Sequence, residues 1–313
     1  MTQPKKSIKL QLLEYRAVLA VVYTTRSLPA GIIRALCAFL GNVLYVLLAK
    51  RRKIALRNLR AAFGNTMSEG EIRRIARRSC ASFLTTAAEL MKLQFEMTDP
   101  GAFKQKGKVS AELETLFQKA RRIHEESGGC IFVTPHIGNW ELLPFVSALV
   151  GIPIAIVARP LDNEFLEKLI YSNRTANGQI IVPKRNAFFM LQSILRQGKS
   201  IAMLPDQATM RGISVDFFGN KATTTPVPAL LAILYKRPIM VVACCRRPEA
   251  GQFEGFVSDP IRAGSHFDER DEIRRLTEAM NREMETIILK YPDQYLWMHN
   301  RWKQYGRKKE FLG

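Results

Sequence analysis

The stretch Cys130-Ile131-Phe132-Val133-Thr134-Pro135-His136-Ile137-Gly138-Asn139-Trp140-Glu141 decides how this chain is read. Its first five residues form an apolar, largely β-branched or aromatic run of the kind that fills a strand, closed by a proline. The apolar residues 142–150 then read as the start of a buried helix. His136 therefore stands at the C-terminal mouth of a predicted strand, and Glu141 in the first turn of the next helix. An imidazole titrating near neutrality, beside a carboxylate that fixes its tautomer, is the smallest general-base pair. The structural alternative is a polar loop histidine followed by a glutamate favoured by the helix dipole. The chain has only four histidines, His124, His136, His266 and His299, so the placement of one at such a mouth is informative.

Outward from this stretch, strand-like and helical periods alternate. Residues 154–158, 180–182, 200–204 and 239–244 are short apolar runs predicted as strands. Helices are predicted at 140–150, 165–177, 187–197, 229–235 and 269–291. The last carries Ile273, Leu276, Met280, Met284, Ile287 and Ile288 on one side, a core-packing stripe. The alternation predicts an α/β fold, a central and mostly parallel sheet flanked by helices, with sites at the carboxyl ends of strands. His136, Arg159 and Asp206 all fall just after predicted strands. Ahead of this region, residues 54–63 read as a basic helix. Ser68-Glu69-Gly70-Glu71 then opens another helix, with Ser68 as N-cap and Glu71 closing a capping box.

The formal net charge is +19 over 313 residues, unevenly spread. Residues 1–63 hold twelve Lys/Arg against Glu14 alone, and Arg301, Lys303, Arg307, Lys308 and Lys309 close the chain. Basic clusters beside apolar stretches suit an anionic membrane surface, where each contributes about 1 kcal/mol. Nucleic acid would also attract such charge, but the basic residues flank hydrophobic segments and no nucleic-acid-binding motif occurs, so it is not an expected partner. Residues 17–25 and 35–49 are uncharged, each shorter than the roughly 18–20 residues of a spanning helix. Leu28-Pro29-Ala30-Gly31 is predicted as the turn between them. A secretory signal is not indicated, because no small-residue cleavage site follows a compact apolar core. Two arrangements fit: an interfacial helical hairpin with snorkelling arginines, which is preferred, or one tilted span with Lys50–Lys53 kept cytoplasmic. The chain is thus divided into an N-terminal helical membrane-attachment element, 1–63, and a single α/β domain, 64–313. Five cysteines, Cys37, Cys80, Cys130, Cys244 and Cys245, show neither C-x2-C spacing nor a disulfide framework, and no metal site or cofactor is expected.

The His136-to-Glu141 spacing resembles the H-x4-D/E motif of the glycerolipid and lysophospholipid acyltransferase superfamily. The fuller pattern is similar to its lipid A late (secondary) acyltransferase branch. In the same order come Arg159-Pro160, Leu204-Pro205-Asp206-Gln207, Phe217-Phe218-Gly219, and the ending Tyr295-Leu296-Trp297-Met298-His299-Asn300-Arg301-Trp302-Lys303. One departure is Val227-Pro228-Ala229, where that branch often has Gly-Pro-Ala. The resemblance implies an enzyme, an O-acyltransferase at the cytoplasmic face of the bacterial inner membrane. Its donor would be an acyl-carrier-protein thioester, and its acceptor a hydroxyl of an anionic glycolipid, a lipid A precursor. Alternatives are the same chemistry on a lysophospholipid or a phosphatidylinositol glycolipid, and a non-catalytic basic membrane-binding protein.

His136 and Glu141 are then the catalytic pair. Their pairing requires His136 in the loop and a helix beginning near Asn139, a good N-cap type whose turn could present free N–H groups to an oxyanion. Arg159 is a candidate for a phosphate or the oxyanion, against a plain strand-end arginine. Asp206 is a candidate to orient that arginine or a sugar hydroxyl, against a Pro-Asp turn. Trp297 and Trp302 fit either lipid headgroups or a packed strand edge, and His299 is read as structural.

Overall fold

The computed structural model describes residues 7–96, 111–158, 161–176, 178–183, 187–265, 268–303 and 305. Four helices come first: α1 (Ile8–Ser27), α2 (Ala30–Leu47), α3 (Ala49–Phe63) and α4 (Glu69–Glu96). The expected capping box opens α4. The Ser68 backbone N–H donates to Glu71 Oε2 at 2.9 Å, and the Glu71 N–H to Ser68 Oγ at 3.3 Å.

Helix α5 (Ala111–Ser127) leads into strand β1 (Ile131–Val133), followed by α6 (Leu143–Leu149), β2 (Ile154–Ala158), α7 (Glu164–Ala176), β3 (Ile180–Pro183), α8 (Ala187–Arg196) and β4 (Ser200–Met203). The chain continues through β5 (Ile213–Phe217), β6 (Asn220–Thr224), α9 (Val227–Tyr235), β7 (Ile239–Arg246), β8 (Phe253–Val257) and α10 (Glu269–Lys290). Six strands form one sheet in the order β3-β2-β4-β1-β7-β8, parallel except for β8 at the edge. This is the predicted α/β architecture.

The sheet is buried on both faces, as an all-parallel centre requires. Alternate residues of β1 and β7 feed opposite cores. Ile131, Val133, Val241 and Ala243 join α4, α9 and α10 on one side; Phe132, Met240 and Val242 join α5 and α6 on the other. Strand order reverses around β1: the chain leaves it for β2 and β3 on one side, returns to insert β4, then crosses to β7. The loops after neighbouring strands β1 and β4 open together at this switch point.

Three strands were not legible in the sequence. The hairpin β5–β6 turns through Phe218 and Gly219, both with positive φ, and its alternating Ile213, Val215 and Phe217 bury against α10. Strand β8 carries Glu254 and Gly255, which weaken its strand pattern.

The N-terminal helices part where the sequence predicted, at Leu28-Pro29, with the Lys92 ammonium holding the Leu28 carbonyl at 2.7 Å. Helix α2 is longer than its uncharged stretch, because Arg34 lies inside it. By length and composition it could cross a membrane. It also packs along α4, burying Ile33, Cys37, Gly41 and Tyr45, one residue per turn. Gly41 is needed there, since a Cβ would sit 2.6 Å from the Ala81 Cα. Nor does Arg34 snorkel: its guanidinium binds the carbonyls of Arg247, at 2.7 Å, and Pro248 beyond β7.

Candidate active site

Pro135 ends β1, and His136 begins the loop that leads to α6. Leu204 and Pro205 end β4, and Asp206 begins the loop beside it. The parallel register sets Val133 against Met203, so the two loops leave the sheet at one level. Asp206, almost fully buried, accepts from the His136 Nδ1–H at 2.7 Å through one oxygen and from the His136 backbone N–H at 2.8 Å through the other. The sequence offers Asp206 as a substrate ligand; in the structure both of its oxygens accept from His136.

This fixes the tautomer. With Nδ1 protonated toward the carboxylate, Nε2 keeps its lone pair and accepts from the Gln207 side-chain amide at 3.3 Å. Trp140 stands edge-on to the imidazole, ring centres 5.2 Å apart. Burial is the largest single influence on His136 and lowers its pKa. The charge of Asp206, its hydrogen bond and the charge of Glu141 together outweigh burial, and the imidazole titrates above its ordinary value. Asp206 mirrors this. Burial raises it, but His136 and Arg301 hold it below the usual carboxylate range.

Glu141 lines the same cavity as His136. Asn139 is fully buried. Its Oδ1 accepts the Leu142 N–H at 3.1 Å, and its amide donates to Glu89 at 2.9 Å. It thus caps the turn 140–142 ahead of α6, which starts at Leu143, three residues later than predicted. The Leu142 N–H is taken by Asn139 and does not face an oxyanion. Arg159 follows β2 directly in sequence and lies outside the described residues, as does His266.

The cavity at His136 has a volume of about 340 Å³ and runs between the sheet and helices α5 and α6. Phe132, Ile154, Ile156, Ala202 and Val242 form its floor, with Phe117 and Ala120 opposite. Its lining is mostly apolar, with Thr134, His136, Glu141, Ser147 and Tyr171 among its polar members. It is shaped for a hydrocarbon beside a base.

The closing aromatic-basic segment supports this site from behind. Leu296 N–H binds the His136 carbonyl at 3.0 Å, and Tyr295 bridges Ile137. Burial and the carboxylate of Asp206 push the Tyr295 hydroxyl far up, so it stays protonated. His299, lowered by burial, accepts the Ala208 N–H at 3.2 Å and fixes the turn after Asp206. Trp297 is wholly buried, and Arg301 is buried over the Phe217 ring, donating to the Thr223 carbonyl. The packed reading of Trp297 therefore stands. Two residues that the sequence does not single out stand behind this loop: Glu89 on α4, which accepts from Asn139, and Arg246 at the end of β7, which pairs with Glu89.

Residues 3–304 match the family described as bacterial lipid A biosynthesis acyltransferase. The chain is 24% identical to a lipid A biosynthesis palmitoleoyltransferase of Escherichia coli, over 91% of its own length and 89% of the relative's. It is 23% identical to a lipid A biosynthesis lauroyltransferase of the same organism, over 91% and 90% of the two chains. A phosphatidylinositol mannoside acyltransferase of Mycolicibacterium smegmatis is 23% identical, over 56% of this chain and 57% of that one.

Proposed function

Because the chain belongs to the bacterial lipid A biosynthesis acyltransferase family, we propose that it moves a fatty acyl group from an acyl-carrier-protein thioester to a hydroxyl of a lipid A precursor. The observation that carries this reading is the His136–Asp206 pair at the mouth of an apolar cavity of about 340 Å³.

In this mechanism the acyl chain lies in the cavity and its thioester carbonyl sits at the mouth. Nε2 of His136 takes the proton from the acceptor hydroxyl as that oxygen attacks the carbonyl carbon. The tetrahedral adduct collapses with cleavage of the C–S bond, and the imidazolium returns its proton to the departing thiolate. Asp206 holds the ring in the tautomer this requires and supports the positive charge formed during the step. Glu141, the second carboxylate at the cavity, adds to that support. Arg159, the residue following β2, is assigned to the acceptor's phosphate, for which a guanidinium fork suits better than an ammonium.

Attachment to the cytoplasmic face of the inner membrane belongs to the same proposal. Ile32, Leu36, Phe39, Leu40, Val43 and Val46 leave an exposed apolar face on α2 opposite its seam with α4. Lys50, Arg51, Arg52 and Lys53 follow directly, a pattern suited to insertion beside anionic headgroups. Lipid mass spectrometry of cells with and without the gene tests the whole reading. A gain of one acyl group on lipid A supports it; a change confined to phospholipid or to a phosphatidylinositol glycolipid transfers the chemistry to another acceptor.

A further inference from the structure

We propose that the partly buried ion pair Glu89–Arg246 clamps the loop after His136 in its working geometry, making both residues positioning residues for acyl transfer. The inference rests on His136 as the base.

Arg246 is the last residue of β7 and is buried. Its Nε and Nη2 both donate to the Glu89 carboxylate, at 2.8–3.0 Å. The remaining donors reach along α4, Nη1 to Ser82 Oγ at 3.1 Å and Nη2 to Thr86 Oγ1 at 2.6 Å. Ser82, Thr86 and Glu89 share one helix face by their spacing of four and three.

Two arms run from this pair to the catalytic loop. Glu89 Oε2 accepts the Asn139 side-chain amide at 2.9 Å, and Thr86 Oγ1 donates to the Gly138 carbonyl at 2.7 Å. Gln294 closes the frame, exchanging two 2.8 Å hydrogen bonds with the Arg246 backbone while its own carbonyl accepts the Gly138 N–H at 3.2 Å. Gly138 and Asn139 are thus held between the end of a core strand and a long helix.

Stability alone does not account for such a pair. Arg246 is buried and Glu89 only partly exposed, so the desolvation of the guanidinium offsets much of the attraction. What a planar fork of donors supplies is direction. The Asp206 bonds fix the ring and N–H of His136, and the bonds of Leu296 and Tyr295 hold the His136 carbonyl and Ile137. The clamp fixes the next two residues, which carry the chain toward Trp140 and Glu141 at the cavity mouth.

The test uses the full-length protein and three variants: Glu89→Gln, Arg246→Lys and Thr86→Val. The last keeps the Glu89–Arg246 contact and removes the Thr86 hydroxyl from both the Gly138 carbonyl and Arg246 Nη2. Acyl transfer is measured as kcat and KM for the acyl donor, alongside NMR titration of the His136 ring, assigned among four histidines by His136→Ala. Misplacement of a reacting group by about 1 Å can cost about 10²-fold. We expect kcat to fall by about that factor in Glu89→Gln and Arg246→Lys, and less in Thr86→Val, with KM within about twofold. The His136 titration midpoint should also move down toward that of an ordinary imidazole as its grip on Asp206 loosens. Folded variants with wild-type kcat and an unmoved His136 titration overturn the clamp. Should Glu89→Gln and Arg246→Lys fail to fold, Thr86→Val decides alone by the same two readouts. A wild-type protein that transfers no acyl group overturns the enzymatic reading instead, and the His136 titration still judges the clamp.

Discussion

Asp206 holds His136 twice, through the ring Nδ1–H at 2.7 Å and through the backbone N–H at 2.8 Å. One side chain therefore sets both the tautomer of the imidazole and the turn on which it is mounted. The two residues lie 70 positions apart and meet because β1 and β4 are neighbours with their ends in register. His136 lines the cavity with its ring held by a buried partner.

Removing the base should end catalysis and little else. His136→Ala is expected to lower acyl transfer by at least about 10²-fold, the lower range for a lost general base. Expression and membrane association should be unchanged. Retention of more than about a tenth of wild-type turnover would show that His136 does not move the proton.

Asp206→Asn should act on both rate and pH dependence. His136 titrates above its ordinary value because of Asp206, so activity, which needs neutral imidazole, should rise as pH climbs through that raised pKa. With asparagine the attraction is lost while burial remains, so the acid limb should move to lower pH. The rate should fall by about 10²–10⁴-fold, because the tautomer is no longer enforced. Folding stability follows the opposite signs. The His136 contribution is fully present below the ordinary imidazole pKa and is lost as pH rises through the raised one. The Asp206 contribution is present above the ordinary carboxylate range and is lost as pH falls through its lowered value. An acid limb that stays in place in Asp206→Asn would separate the two residues functionally.

Gly138 offers a steric test of the same loop. Its φ is +57°, and a Cβ there would meet the Cys244 carbonyl oxygen and lie 2.8 Å from the Cys245 Cα. Both obstacles are backbone and neither can swing away. Gly138→Ala should therefore cost several kcal/mol, on the order of other severe backbone clashes, and displace the loop. Its melting temperature should drop and its turnover fall together. A variant with wild-type stability would mean that the end of β7 can give way.

The parallel sheet and the loop position of His136 were legible because each rests on local pattern. The apolar run 130–134, the change of period after Gly129 and the loop position of His136 are all readable without tertiary contacts. The partner of His136 was not. Glu141 is close in sequence, whereas the hydrogen bond to Nδ1 comes from Asp206, which only strand order brings near. Glu89 and Arg246 were hidden for the same reason, since their pairing spans 157 residues. The N-terminal helices show a different limit. Composition marked residues 35–49 as membrane-seeking, but could not show that Ile33, Cys37, Gly41 and Tyr45 would face protein while their neighbours face outward.

That division of α2 gives the last prediction. Phe39 and Val46 are each more than 60% exposed on the apolar face, whereas Gly41 lies against Ala81 of α4. A double substitution Phe39→Asp and Val46→Asp removes two apolar anchors, each contributing about 1.5–3 kcal/mol when fully buried in an apolar phase, and adds charges that an anionic surface repels. The variant should detach from vesicles containing anionic lipid while keeping its melting temperature. Gly41→Leu should do the reverse: melting falls as α2 is forced off α4. Removing residues 1–50 would combine both effects, baring the α4 seam as well as deleting the anchor, so the truncated chain should be less stable. Flotation and melting curves on the three proteins check this. If Phe39→Asp with Val46→Asp still floats with the vesicles, the exposed face of α2 is not the membrane contact.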